Sequence, residues 1–167
     1  MKRTVFFLVG ALIIIAVLSN MPYEQQSIRP FLKTYFPNEP YKQFLSQFEI
    51  NYWGRVISIE SRGYVAFVEF LFRKGMHIVG YGIVTVIIFV FYRKLKWRFP
   101  TLLALITIFV IACLDELRQS FLPGRTGLFD DVKLDVLGGI LFLAIANCII
   151  FIKQFLKKFL KKTSKSF

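Results

Sequence analysis

The sequence predicts an all-α fold: a four-helix transmembrane bundle with an outward loop segment between helices 1 and 2 and a basic amphipathic C-terminal tail. Three observations predict it. The chain has 167 residues, enough for a single domain over 1–167, and it is 56% hydrophobic with a mean hydropathy of +0.57, above the roughly 45–50% apolar content of soluble chains. Four stretches are long and apolar enough to cross a hydrocarbon core of about 30 Å at about 1.5 Å per helical residue. The net charge of +12 is unevenly placed along the sequence. Such a charge would ordinarily suggest nucleic acid. A chain with 20 Phe and long charge-free runs leaves no room for a water-soluble nucleic-acid-binding fold, so no nucleic-acid partner is expected.

The spans fall at about residues 4–21, 76–92, 99–118 and 134–152. None has an amphipathic period in its middle, as expected of helices with lipid on one side and helices on the other. Lys2 and Arg3 precede the first apolar run, which reads as an uncleaved anchor, because Val17-Leu18-Ser19 is a poor cleavage site. Val110-Ile111-Ala112-Cys113 looks like a lipoprotein box but lies in the third span. Sorting the basic residues by flank orients the bundle. Lys2 and Arg3, then Arg93, Lys94, Lys96 and Arg98, then the six tail lysines make twelve cations with no acid among them, while the opposite flanks carry ten cations and all ten acids. The positive-inside rule then expects a multi-pass membrane protein with the acid-free face and both termini in the cytoplasm.

In the tail, 153–167, and the residues just before it, Phe151, Ile152, Phe155, Leu156, Phe159 and Leu160 share one helical face and lysines the other. This suits a helix on an anionic leaflet, each Lys contributing about 1 kcal/mol. Cys113 and Cys148 match no zinc or redox spacing and are expected to be buried packing residues. In the outward segment, 22–75, Pro22, Pro30, Pro37 and Pro40 punctuate short helical pieces such as 41–48. Residues 51–59, with Gly54 in an aromatic and β-branched run, suit a small hairpin. Residues 62–72 read as an interfacial helix carrying a Glu69–Arg73 i,i+4 pair before a turn at Gly75.

The polar residues near the outer ends of the spans carry the chemistry. Counted from the inner basic residues, Ser19, His77, Asp115 and Asp135 all rise roughly 24–27 Å, so each helix presents a polar side chain at one level. An acid at mid-bilayer costs about 2.5–3.5 kcal/mol, against about 0.3–0.6 gained per Leu, Ile, Phe or Val. Asp115 and Glu116 therefore need partners, and Arg73, Lys74, Arg118 and Arg125 are the available cations. Arg73, His77 and Tyr81 stand at i, i+4 and i+8, Asp115 and Gln119 at i and i+4, and Asp131 and Asp135 likewise. Pro123-Gly124-Arg125 makes a turn able to return Arg125 over the cluster, and Gly138 and Gly139 allow close helix approach.

Arg73-Lys74-x-x-His77-x-x-x-Tyr81, Asp115-Glu116-x-x-Gln119-x-x-x-Pro123-Gly124-Arg125 and Asp131-Val132-x-x-Asp135-x-x-Gly138, in this order on the spans, resemble the VanZ-like family. Ser19 to Pro22 and Tyr52, Gly54, Ser58 and Gly63 add weaker matches, so the resemblance covers most of the chain except the tail. It implies a four-span bacterial membrane protein, the founding member of the family being associated with resistance to the glycopeptide teicoplanin. It supplies no established reaction. Asp135 stands where the family often has Asn, and Phe142 where Gly is common, which questions the closest helix packing.

The residues support three readings. The preferred one is recognition of an anionic or zwitterionic envelope component at the outer leaflet, a lipid-linked cell-wall precursor or a phospholipid headgroup. Arg73, Lys74 and Arg125 would hold phosphate or carboxylate, with Asp115, Glu116 and Asp131 orienting them and His77, Tyr81, Gln119 and Asp135 completing the site. The alternative is an enzyme acting on such a headgroup with His77 as general base beside Asp115 and Glu116 as proton donor; on that reading the acids with His77 also suit a divalent ion. No nucleophile motif or spaced His pair is present, and neither a cofactor nor a dedicated metal motif is expected. Lipid flipping would require a homo-oligomer. Against all three stands a purely structural network locking the helices together.

Overall fold

The computed structural model describes residues 1–122 and 127–163, with side chains described up to residue 159. Its frame is four long helices: α1 (Lys2–Asn20), α6 (Tyr64–Lys94), α7 (Pro100–Gln119) and α8 (Phe129–Thr163). All four are long and apolar enough to cross a membrane. Their apolar side chains are mostly at the surface, Phe6, Phe7, Ile13, Ile106, Ile140 and Ile145 among them, as hydrocarbon-facing positions require. The interior is a seam of Val84, Ile88, Phe89, Ala104, Ile108 and Leu143. The principal pairing is α6 with α8; α7 packs on both, and α1 leans on α6.

Close approach of α6 and α8 depends on small residues. A Cβ on Gly138 would stand 2.4 Å from the Ile78 carbonyl oxygen, and one on Gly82 would stand 2.5 Å from the Phe142 ring. The bulk of Phe142 is thus absorbed by a glycine on the facing helix, and the contact expected to be loosened there is kept. At the other end of the bundle Lys94 donates to Thr4 and Tyr92 pairs with Thr107 at 2.9 Å, tying α6 to α1 and α7 among the basic residues.

Two expectations about the helices are corrected. The segment 62–72 is not a separate interfacial helix, and no turn occurs at Gly75, because α6 runs unbroken for 31 residues. Likewise 153–163 continues α8 without a break; a run of Phe, Leu and Lys with no Gly or Pro has nothing to stop it. Residues 164–167 lie outside the described residues. Cys113 is partly buried and packs against the core, as a packing residue would, whereas Cys148 is exposed.

Residues 22–63 sit over one end of the bundle, called here the loop end. They hold the short helices α2 (Tyr23–Gln26), α3 (Arg29–Tyr35), α4 (Lys42–Leu45) and α5 (Ile59–Arg62) and the strands β1 (Ile50–Tyr52) and β2 (Arg55–Ile57). The helical stretch expected over 41–48 shrinks to the single turn of α4. The expected hairpin forms, pairing Tyr52 with Arg55 and Ile50 with Ile57. Its turn residues Trp53 and Gly54 have φ of 51° and 67°, the twist that closes a two-residue hairpin and the reason a glycine is used there. Ile57, Ile59, Tyr64 and Phe67 form a second buried cluster fixing the hairpin to α6.

Candidate functional site

Three layers of polar side chains occupy the loop end. The deepest joins three helices. Asp115 of α7 accepts from Tyr81 of α6 at 2.8 Å, from Gln119 at 2.8 Å and from Arg118 at 2.8 Å. Gln119 also donates to Ser19 of α1 at 3.1 Å, and Arg118 to the Ala16 carbonyl at 3.1 Å. Asp115 is therefore bonded at both oxygens, which is how a buried carboxylate is stabilised.

Beside it lies the junction of α6, α7 and α8. His77 Nδ1 donates to Asp135 Oδ1 at 3.0 Å, and Glu116 Oε2 accepts from the Leu128 backbone N–H at 2.9 Å. His77 is thus partnered with Asp135, not with Asp115 as the acid–base reading placed it; Asp115 is already engaged by Tyr81, Gln119 and Arg118. The remaining oxygens, Glu116 Oε1 and Asp135 Oδ2, are buried and have no hydrogen-bond partner among the described residues.

The uppermost layer links the bundle to the loops. Lys74 and the Tyr52 hydroxyl both bond Asp131, and the Trp53 N–H donates to Asp130 at 3.1 Å. The hairpin tip is so fastened to the first turn of α8, where acids are favoured by the helix dipole. Burial, then the bond to Asp131, pushes the Tyr52 phenol up, so it stays a neutral donor. On the other side Glu69 of α6, 2% exposed, accepts from Tyr23 at 2.5 Å, Ser27 at 2.6 Å, Arg29 at 2.6 Å and the Ile28 N–H at 3.1 Å. Burial and Glu69 raise the Tyr23 pKa, and the Glu69 bond raises that of Arg29. The expected Glu69–Arg73 pair is not formed: Glu69 is occupied from the loop, and Arg73 lies over the Tyr23 ring, 4.9 Å from its centroid.

Between these anchors lies a cavity of about 370 Å³ lined by Arg29, Arg55, Arg62, Arg73 and Lys74, with Tyr52, Trp53, Glu69, His77 and Asp131 in its wall. Arg29 is matched by Glu69 and Lys74 by Asp131. Arg55 stands over Trp53 and Arg62 over Phe70. With Arg73 they make three guanidinium groups that pair with no acid among the described residues. A second hollow, of about 480 Å³, between Trp53 and Lys133 carries among the described residues the Asp130–Lys133 pair, matched at 2.8 Å.

Of the residues singled out from sequence, Lys74, His77, Tyr81, Asp115, Glu116, Gln119, Asp131 and Asp135 are gathered at this end, and Arg73 lines the cavity. Arg125 lies outside the described residues. Arg29, Arg55 and Arg62 were not expected at the site, nor was Glu69 as a buried hub. A signal existed for Glu69: it sits between Phe67, Val68, Phe70 and Leu71, an apolar setting in which an acid needs a partner.

The VanZ/LLP1 family profile matches residues 4–152. The chain belongs to the VanZ-like family. No curated protein and no solved structure matches it. The match begins at the start of α1 and ends within α8, so the VanZ-like domain takes in the four apolar helices and the loops over them, and this is a membrane protein.

Proposed function

We propose that this VanZ-like protein recognises an anionic, phosphate- or carboxylate-bearing component of the bacterial envelope, a phospholipid headgroup or a lipid-linked cell-wall precursor, at the outer leaflet. The single observation behind it is the trio Arg55, Arg62 and Arg73 in a cavity whose other cations are already matched by Glu69 and Asp131. Guanidinium groups bind phosphate and carboxylate through paired N–H donors. Three of them without acids give the cavity a surplus positive charge for an anion to satisfy.

Position supports the same reading. Counting about 20 residues, or about 30 Å, from Lys94 up α6 reaches Arg73 and Lys74, so the cavity begins where the helix leaves the hydrocarbon. The twelve acid-free cations counted along the sequence, from Lys2 and Arg3 to the tail lysines, orient the opposite face and both termini toward the cytoplasm. A headgroup in the outer leaflet would meet the arginines with its chains still in lipid. Protection against teicoplanin would follow where the recognised component is a cell-wall precursor. The acid–base reading loses the His77–Asp115 pair it was built on, since Asp115 is bonded at both oxygens by Tyr81, Gln119 and Arg118.

Trp53 lines the cavity, so its fluorescence reports occupancy. In neutral-lipid nanodiscs, with Trp97 replaced by Phe, titration with a short-chain polyprenyl phosphate or phosphatidylglycerol is expected to give a saturable change. Arg55→Ala combined with Arg73→Ala should raise Kd by about 10-fold or more, the loss of at least one charged hydrogen bond. Equal affinity in the variant, or equal binding of a neutral lipid, would contradict the reading.

A further inference from the structure

We infer that His77, Glu116 and Asp135 form a binding site for one divalent cation, of the Mn²⁺ or Zn²⁺ type, at the junction of α6, α7 and α8. Each residue places a ligand atom within 4.8 Å of the others. The donors of one ion bound at about 2.1 Å stand about 3–4 Å apart, so small side-chain rotations close the set. One imidazole and two carboxylates suit these ions better than Ca²⁺, which prefers an all-oxygen shell, or Cu(I), which prefers sulfur.

Proximity alone would not make a site. The second observation is that two carboxylate oxygens, Glu116 Oε1 and Asp135 Oδ2, are buried with no hydrogen-bond partner among the described residues. They belong to residues only 4% and 0% exposed. Buried acceptors are almost always satisfied, and buried carboxylates are paired or bind metal. Among the described cations, Lys74 is bonded to Asp131, Arg118 to Asp115, and Arg73 lies over the Tyr23 ring. His77 Nδ1 lies 3.0 Å from Asp135 Oδ1; with the ring proton on Nε2, Nδ1 would turn its lone pair to the ion, which takes the place of that hydrogen bond. Two carboxylates beside a neutral imidazole match the charge of a divalent ion. Opposed lone pairs then become a shell around a cation, and three helices gain a common crosslink. His77 also lines the arginine cavity, which gives the ion a route in from the loop end.

The inference does not rest on headgroup recognition, because metal binding is measured without added lipid. His77 is the single histidine of the chain. Full-length protein carrying a non-histidine tag, stripped with chelator and dialysed in detergent against MnCl₂ or ZnCl₂, is expected to retain about one ion per chain by elemental mass spectrometry. Pulsed EPR of bound Mn²⁺ should show nitrogen modulation, whose one possible protein imidazole is His77. The near-isosteric Asp135→Asn and Glu116→Gln should each weaken binding by about 10-fold or more, while Glu49→Gln, an exposed acid of the loops, should leave it unchanged. The inference is overturned by wild-type protein that holds no stoichiometric ion, as when a shared proton or water satisfies the carboxylates, by bound Mn²⁺ without nitrogen modulation, or by affinity that survives Asp135→Asn and Glu116→Gln together.

Discussion

Glu69 illustrates how one carboxylate can organise a loop. Four donors from residues 23–29 converge on it, and its desolvation is offset by those bonds. Glu69→Ala removes the acceptor and leaves Tyr23, Ser27 and the Ile28 N–H facing an apolar wall. A loss of about 2–3 kcal/mol is expected in detergent unfolding titrations, the range for hydrogen bonds to a charged group. Arg29→Ala should cost less, because Arg29 is 45% exposed in its side chain and solvent screens its share. Equal losses would mean that Glu69 acts only through Arg29. At this scale the sequence was informative about which residues are chemical and poor about their partners. Spacing along α6 marked Arg73, His77 and Tyr81 as one face, yet the partners of His77 and Tyr81, Asp135 and Asp115, are 58 and 34 residues away, separations no local period records. Glu69 was paired with Arg73 by the same local rule, and a loop 40 residues upstream outcompeted it.

Among the elements, the α6–α8 contact is the most exacting. Gly138→Ala would drive a methyl onto the Ile78 backbone, and Gly82→Ala onto the Phe142 ring; backbone cannot yield as a side chain can. Each should cost about 1–3 kcal/mol, with Gly138 the more severe, in the same unfolding titration. Gly80→Ala is the control: nothing lies within 4 Å of its added Cβ, so it should be neutral or gain up to about 1 kcal/mol in helix propensity. A Gly138→Ala protein as stable as Gly80→Ala would refute the tight crossing. Gly138 and Gly139 were legible as small residues in a span; Gly82 was not, because only the facing Phe142 makes it necessary. Helix ends were the least legible part. Hydropathy marks where a helix meets lipid, and α6 and α8 continue well past that limit because nothing in 64–75 or 153–163 breaks them.

For the whole molecule, charge and hydropathy carry the architecture. Four apolar stretches, a neutral loop end and an acid-free basic end follow from counting, and the profile match over residues 4–152 agrees with the order of motifs on the spans. The loop arginines were beyond reach, since Arg29, Arg55 and Arg62 lie on three different short elements whose docking over the bundle depends on Glu69, Asp130 and Asp131. The central claim is that this docking creates an anion-binding cavity at the outer membrane face. Mass spectrometry of lipids copurified with the protein from a bacterial membrane tests it most directly. The account expects a phosphate-bearing species enriched over bulk membrane and lost from a well-folded Arg55→Ala, Arg62→Ala, Arg73→Ala protein. A lipid profile matching the bulk membrane, or one unchanged by the three substitutions, would contradict it.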